Sequence, residues 1–154
     1  MKTNLLKKIL TSSCALGLLV ATNVSYADNA SKKETHIATQ DIIWKKSPFG
    51  PEVWSVDGGG KGSHITYIKF NAGDITPLHT HTSDYVGIVV TGTTRHYIPG
   101  EKKTYKILPP GSHWSMSANI EHVSECLPGV ECVMAVYQKK PFDFIAKGDA
   151  PKID

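Results

Sequence analysis

From residue 42 onward, turn-forming residues interrupt this sequence about every ten residues, which is too often for long helices and well matched to short strands. The interruptions are Asp57 to Gly62, Asn71-Ala72-Gly73, Gly92, Pro99-Gly100, Pro109-Pro110-Gly111 and Pro128-Gly129. Between them lie runs rich in β-branched and aromatic residues: Ile42 to Trp44, Val53 to Val56, His64 to Phe70, Tyr85 to Thr91, Thr94 to Ile98, Tyr105 to Leu108, His113 to Met116, Ile120 to Cys126, Cys132 to Gln138 and Phe142 to Ile145. No helical periodicity persists for more than a few residues, so an all-β sandwich or barrel is expected. A chain of 154 residues that is 40% hydrophobic and 20% charged fits one compact domain. It contains no detectable internal repeat. The glycine cluster Gly58-Gly59-Gly60-Lys61-Gly62 precedes a strand pattern and lacks the Lys-Ser/Thr pair that opens a helix, so it reads as a turn and not as a phosphate loop.

The first 27 residues have a different character. Lys2, Lys7 and Lys8 are followed by an apolar stretch from Ile9 to Ala21 and then by Ser25-Tyr26-Ala27, the order of a secretory signal peptide cut after Ala27. The stretch is well short of the ~20 residues that cross a bilayer. Cys14 follows Thr11-Ser12-Ser13 and lacks the Leu-type residue that a lipoprotein site wants upstream. The expected organisation is a leader over residues 1–27, a flexible polar arm over 28–40 and one domain over 41–154, placed in the periplasm or secreted from a bacterium. Without the three leader lysines, the 17 Lys and Arg fall to the number of Asp and Glu, 14. A mature chain with no excess positive charge lacks the footprint that nucleic acids or anionic membranes reward.

Outside the leader, two cysteines remain. Cys126 and Cys132 flank the turn Leu127-Pro128-Gly129-Val130-Glu131, with strand patterns on both sides, so they are expected to face each other across a hairpin and form a disulfide in an oxidising compartment.

Three of the seven histidines have chemically informative spacing. His79 and His81 lie two residues apart and share a face if the segment is extended. His122 lies within Ile120-Glu121-His122-Val123-Ser124, another strand pattern. If that strand lines the same interior, three imidazoles complete a site for a divalent ion. The alternative is a pair of surface histidines at a strand start. Asp84 and Glu121 are expected to point away from the site by strand alternation, Asp84 serving at most as a loop or outer hydrogen-bond partner. His36, His64, His96 and His113 have no partner at ligand spacing and read as polar surface or hydrogen-bonded residues, with His113 near enough to Trp114 to reach a pocket rim. Trp44, Trp54, Tyr67 and Trp114 read as core and rim aromatics, any of which has a face able to stack on a planar ligand.

Gly73, His79-Thr80-His81, Tyr85 and Gly92 form one framework, and Gly111, Ser117-Ala118-Asn119, His122 and Cys126 form another. Together they resemble the paired motifs of the cupin superfamily, G-x5-HxH-x3-E-x6-G and G-x5-PxG-x2-H-x3-N. The resemblance spans roughly Val53 to Phe144. Asp84-Tyr85, Pro110-Gly111-Ser112 and the stretch from Glu131-Cys132 through Phe142-Asp143-Phe144 resemble more closely an uncharacterised family of secreted single-domain cupins. The resemblance implies a single-domain jelly-roll β-barrel holding a metal, with His79, His81 and His122 at ligand positions.

The departures bear on function. Tyr85 replaces the glutamate that commonly supplies a fourth ligand, while Ser117, Asn119 and Cys126 replace Pro, Gly and Asn. Without a carboxylate ligand, a bound Fe, Zn, Ni, Mn or Cu ion keeps its full double charge and attracts an anionic or enolate-like ligand more strongly. Tyr85 has three readings: ligand, hydrogen-bond donor or acid/base catalyst, and aromatic plug of the barrel mouth. Cupins with three histidines include oxygenases of diketones, flavonols and thiols, so the resemblance implies a metal-dependent enzyme on a small organic substrate. Dioxygenase chemistry leads, and lyase or isomerase chemistry with Tyr85 as base follows. The alternative is a non-catalytic ligand-binding or sensor cupin whose metal is structural or positions the ligand. Because cupins often pair through barrel edges, a homodimer is compatible with the resemblance.

Overall fold

The computed structural model describes residues 34–56 and 62–151; the leader, the arm through residue 33 and most of the glycine cluster lie outside the described residues. Among the described residues, no helix is long and apolar enough to cross a membrane. The described residues are all-β, with ten strands and two short 3-10 turns, Thr39–Asp41 and Lys102–Thr104. The strands are β1 (Lys45–Lys46), β2 (Glu52–Ser55), β3 (His64–Phe70), β4 (Leu78–Thr80), β5 (Tyr85–Thr91), β6 (Thr94–Tyr97), β7 (His113–Met116), β8 (Val123–Cys126), β9 (Cys132–Gln138) and β10 (Ile145–Gly148).

Six strands form an antiparallel sheet in the order β1-β2-β3-β9-β5-β7. The pairs β10-β4 and β6-β8 form the second layer. Backbone hydrogen bonds stitch these pairs together: Thr76 N to Ser124 O at 2.9 Å, His79 N to His122 O at 3.1 Å and His122 N to His79 O at 3.0 Å. The layer therefore runs β10-β4-β8-β6, and its inner face meets that of the larger sheet. This non-sequential antiparallel order in two layers is jelly-roll architecture.

Alternation decides which side chains turn inward. Along β5, Tyr85, Gly87 and Val89 are buried while Val86, Ile88 and Val90 are exposed. On β9, Cys132, Met134, Val136 and Gln138 are buried. Phe70, Cys126, Cys132 and Met134 form a buried apolar cluster, with Ile68 and Trp114 packed against it. Gly87 pairs with Trp114 of β7, and a Cβ on Gly87 would lie 2.1 Å from Trp114 Cζ2. The missing side chain lets the indole lie flat against β5.

Strands β3, β5, β7 and β9 fall where the sequence pattern placed them. The run from Tyr105 to Leu108 does not form a strand: the 3-10 turn at Lys102–Thr104, tied by Thr104 Oγ1 to Glu101 O at 2.7 Å, bends the chain, and only Leu108 pairs, with Thr94. The first and last runs also shift, to Lys45–Lys46 and Ile145–Gly148, and β4 was not anticipated because it is only three residues long.

The disulfide Cys126–Cys132 is present, with Cα atoms 5.7 Å apart. Its setting differs from the expected hairpin, because β8 and β9 belong to different layers and the loop between them carries the chain from one to the other. The bond therefore ties the two layers together inside the core. Both cysteines are fully buried. Replacing both by alanine should lower stability by roughly 2 kcal/mol from lost chain restriction, with a further packing loss. Gly87→Ala should cost about 1–3 kcal/mol by displacing the indole. Urea unfolding of the two variants measures each effect, and wild-type midpoints would contradict them.

Candidate metal centre

His79 lies on β4, His81 follows that strand directly, and His122 immediately precedes β8. The reciprocal backbone hydrogen bonds of His79 and His122 make them cross-strand neighbours. All three are buried, at 2%, 7% and 0% exposure, and their candidate ligand atoms lie within 4.8 Å of one another. The three residues expected to converge do so.

Each imidazole is oriented by its own backbone carbonyl. His79 Nδ1–H donates to Pro77 O at 2.9 Å, His122 Nδ1–H to Ile120 O at 2.8 Å, and His81 Nδ1–H to Asp143 O. Committing Nδ1–H in this way fixes the tautomer and leaves the Nε2 lone pair as the candidate ligand, that of His122 accepting the Tyr85 hydroxyl in this structure. For His79 and His122 the carbonyl lies two residues upstream, so the local strand supplies its own orienting group. For His81 it comes from the distant 142–144 segment, whose Asp143 carboxylate also accepts from Thr82 N at 3.1 and 3.2 Å.

The second motif is held against the first. Asn119 adopts φ 63°, in the left-handed region that glycine favours and asparagine tolerates. Its N–H donates to His81 O at 2.8 Å. This explains why asparagine can replace the motif glycine. Asp84, as expected, is not a ligand: its Oδ1 accepts from Ala118 N at 2.7 Å and braces the same turn. Glu121 is exposed.

Tyr85 projects inward from β5, with its Oη 2.8 Å from both His122 Nε2 and His96 Nε2. Burial raises the Tyr85 pKa well above its ordinary value, so the phenol is protonated at neutral pH. His96, on β6, was expected to be a polar surface or hydrogen-bonded residue; it is buried, with Nδ1 2.9 Å from Ser124 Oγ and its ring stacked on Trp114 at 4.6 Å. A hydrogen-bonded line thus runs from His122 through Tyr85 and His96 to Ser124. The signal for His96 was the alternation of Thr94 and His96 along their strand, but its value depended on the β6-β8 register that pairs His96 with Ser124. His64 is also buried, not on the surface, with Nδ1 2.7 Å from Gly62 O. His113 is exposed, and His36 lies outside the barrel domain.

A cavity of about 370 Å³ reaches this cluster. Its lining includes His79, His81, Tyr85, His96 and Ser124, with Ile68, Phe70, Met134 and Val136 from the larger sheet and Phe49, Phe142 and Phe144 from the flanking segments. Of the four aromatics noted in the sequence, Trp114 lines it. Trp54 and Tyr67 contact each other at 5.7 Å between ring centroids, and Trp44 lies under the Lys69 ammonium at 4.7 Å.

Burial lowers the pKa of every histidine in the cluster, that of His79 to about 3 and that of His122 to about 4; neighbouring imidazoles add to the effect at His79, His96 and His122, while Asp143 opposes it at His81. In the unfolded chain these groups take up protons near pH 6.5, whereas the fold refuses them until about pH 4 and 3. Stability present above pH 6.5 should therefore fall as pH drops through that window, by about 1.4 kcal/mol per pH unit for each such histidine. Urea midpoints of chelator-treated protein at pH 7 and pH 5 test this; equal midpoints would contradict it.

No protein-family model matches the sequence, and comparison with curated proteins finds no match. Solved structures do match. The polyketide cyclase RemF from Streptomyces resistomycificus superposes with a TM-score of 0.62 at 15% identity, over 73% of this chain and 84% of that one. KdgF from Halomonas sp. gives 0.57 at 20% identity, over 69% and 95%. An RmlC-like cupin from Shewanella frigidimarina gives 0.56 at 17% identity, over 69% and 91%. With its two-layer jelly roll and paired histidine segments, this chain has the cupin fold.

Proposed function

We propose that the protein binds one divalent metal ion through His79, His81 and His122 and acts as a metal-dependent enzyme on a small organic molecule. The carrying observation is the arrangement of the donors: three buried imidazoles, each with Nδ1–H committed to a backbone carbonyl, have candidate ligand atoms within 4.8 Å of one another beside a cavity. Neutral imidazole suits Zn, Cu, Fe and Ni. When bound, such an ion polarises an oxygen-bearing substrate or activates oxygen or water. Dioxygenase-like chemistry is the favoured subclass, on the resemblance to three-histidine cupins, and the leader together with the buried disulfide supports action in the periplasm or outside the cell.

The residues around the ion have separable roles in this reading. The carbonyls of Pro77, Ile120 and Asp143 orient the ligands. The apolar wall of Ile68, Met134 and Val136 excludes water. Tyr85, protonated and lining the cavity, gives its one hydroxyl hydrogen to His122 Nε2; with that nitrogen committed to an ion, the hydrogen would be free to donate to an oxygen of the substrate or to return a proton to it, while His96 and Ser124 hold the phenol in place. A high phenol pKa suits an acid or donor better than a base.

The second reading, a ligand-binding or sensor module, draws on the protonated Tyr85 hydrogen-bonded to His122, an arrangement that also suits a static binding site. Elemental analysis and turnover separate the two. Purified protein should carry about one divalent ion per chain, and His79→Ala, His81→Ala or His122→Ala should each weaken metal affinity at least tenfold. Tyr85→Phe should keep the metal while slowing turnover on the order of 10²-fold. Oxygen consumption by the anaerobically iron-loaded protein tests the dioxygenase subclass. Wild-type metal content in all three histidine variants would remove the proposed centre, and an intact metal without turnover on any tested substrate would favour the binding module.

A further inference from the structure

The cavity walls restrict what the site can hold. Phe49 stacks on Phe144 at 4.2 Å between ring centroids and 18° between planes, and Phe144 stacks on His79 at 4.1 Å and 13°. Trp114 and His96 form another stack at 4.6 Å and 26°. Flat aromatic surfaces thus line the cavity, and Ile68, Phe70, Met134 and Val136 complete an apolar lining.

Most polar side chains of the cavity are engaged within the protein, the buried Trp114 Nε1–H being an exception without a hydrogen-bond partner. Thr76 Oγ1 accepts from Ser124 N, Ser124 Oγ meets His96 Nδ1, Tyr85 Oη meets His96 and His122, and the Asp143 carboxylate is turned to Thr82 N. A polyhydroxylated ligand would bury hydroxyls that find few partners, an unfavourable exchange for their water. Besides the Asp143 carboxylate, which is turned to Thr82 N and lies 3.9 Å from His81 Nδ1, charge enters the lining at two places. Lys45 and Lys46 line the cavity, are exposed, and have no ion-pair partner among the described residues, in contrast to Lys69, which pairs with Glu52 at 2.6 Å. The other place is the three-histidine centre, whose candidate ligands include no carboxylate. A volume of about 370 Å³ sits at the small end of ligand pockets.

We propose that the site takes a small, flat, largely apolar molecule bearing one anionic oxygen group, a carboxylate or an enolate. Its ring or conjugated plane lies along the aromatic walls, its anionic oxygen faces the metal centre, and Lys45 and Lys46 draw it in. This assignment rests on the metal-site reading for its anchor and on the aromatic walls for its selectivity.

Calorimetric titration of zinc-loaded protein with three probes tests it. Cinnamate supplies a plane and a charge, cinnamyl alcohol the plane alone, and gluconate the charge with hydroxyls. Cinnamate should bind at least tenfold more tightly than either of the others. Lys45→Gln/Lys46→Gln should weaken it at least threefold and reduce its salt dependence, and Phe49→Ala should weaken it at least fivefold, both at unchanged zinc content. Gluconate binding as tightly as cinnamate, or cinnamate affinity unmoved in both variants, would overturn the proposal. Zinc content measured on the same samples keeps the two readings apart: full zinc with no preference for cinnamate refutes the ligand class and leaves the metal centre standing. Absent zinc refutes the centre and with it the anchor on which this assignment depends.

Discussion

Two backbone hydrogen bonds exchanged between His79 and His122 join the strand that carries the first histidines to the strand that follows the third. With the neighbouring Thr76–Ser124 and Asp74–Cys126 bonds they make one layer of two strand pairs, and the same pairing brings the imidazoles together. The fold and the candidate centre therefore depend on a common contact. Antiparallel neighbours on one face stand about 5 Å apart, the scale on which side chains can share an ion. The Cys126–Cys132 bond reinforces this arrangement from the far end of β8 by fastening that layer to β9.

The interior is divided by chemistry. Near Phe70, Met134 and the disulfide it is apolar and closely packed. Toward the histidines it becomes a polar cluster whose groups satisfy one another: Ser124 with His96, His96 with Tyr85, Tyr85 with His122, and the histidine Nδ1 atoms with backbone carbonyls. Burying four imidazoles is costly if they ionise, and their depressed pKa values are the response. The same neutrality makes three of them good metal ligands. A stability cost at low pH and a capacity for cations are two consequences of one arrangement.

Tyr85 illustrates how an altered motif position can be absorbed. A phenol, where a carboxylate is common in the resembling motif, brings no negative charge to the centre and extends far enough to reach His96 on β6. The layers are therefore linked by a hydrogen-bonded side chain at this point. Asn119 does the same for the backbone, taking the left-handed conformation of the glycine it replaces. Both departures preserve geometry while changing the chemistry available beside the cavity.

The turn residues and two-residue alternation of the sequence were enough to determine an all-β chain and to place β3, β5, β7 and β9, because turn chemistry and strand periodicity are local. The spacing of His79, His81 and His122 within two motif frameworks was enough to nominate the ligands. Where alternation ran out, reading the sequence failed: Tyr105 to Leu108 looks like a strand, but Thr104 bends it by hydrogen bonding to nearby backbone. Only the tertiary structure decided that the disulfide joins two layers, that His96 and Ser124 support Tyr85, and that Asp143 orients His81 across 62 residues of chain. Those relations depend on which strands become neighbours, a collective outcome of packing two sheets face to face, and no local pattern in the chain encodes it.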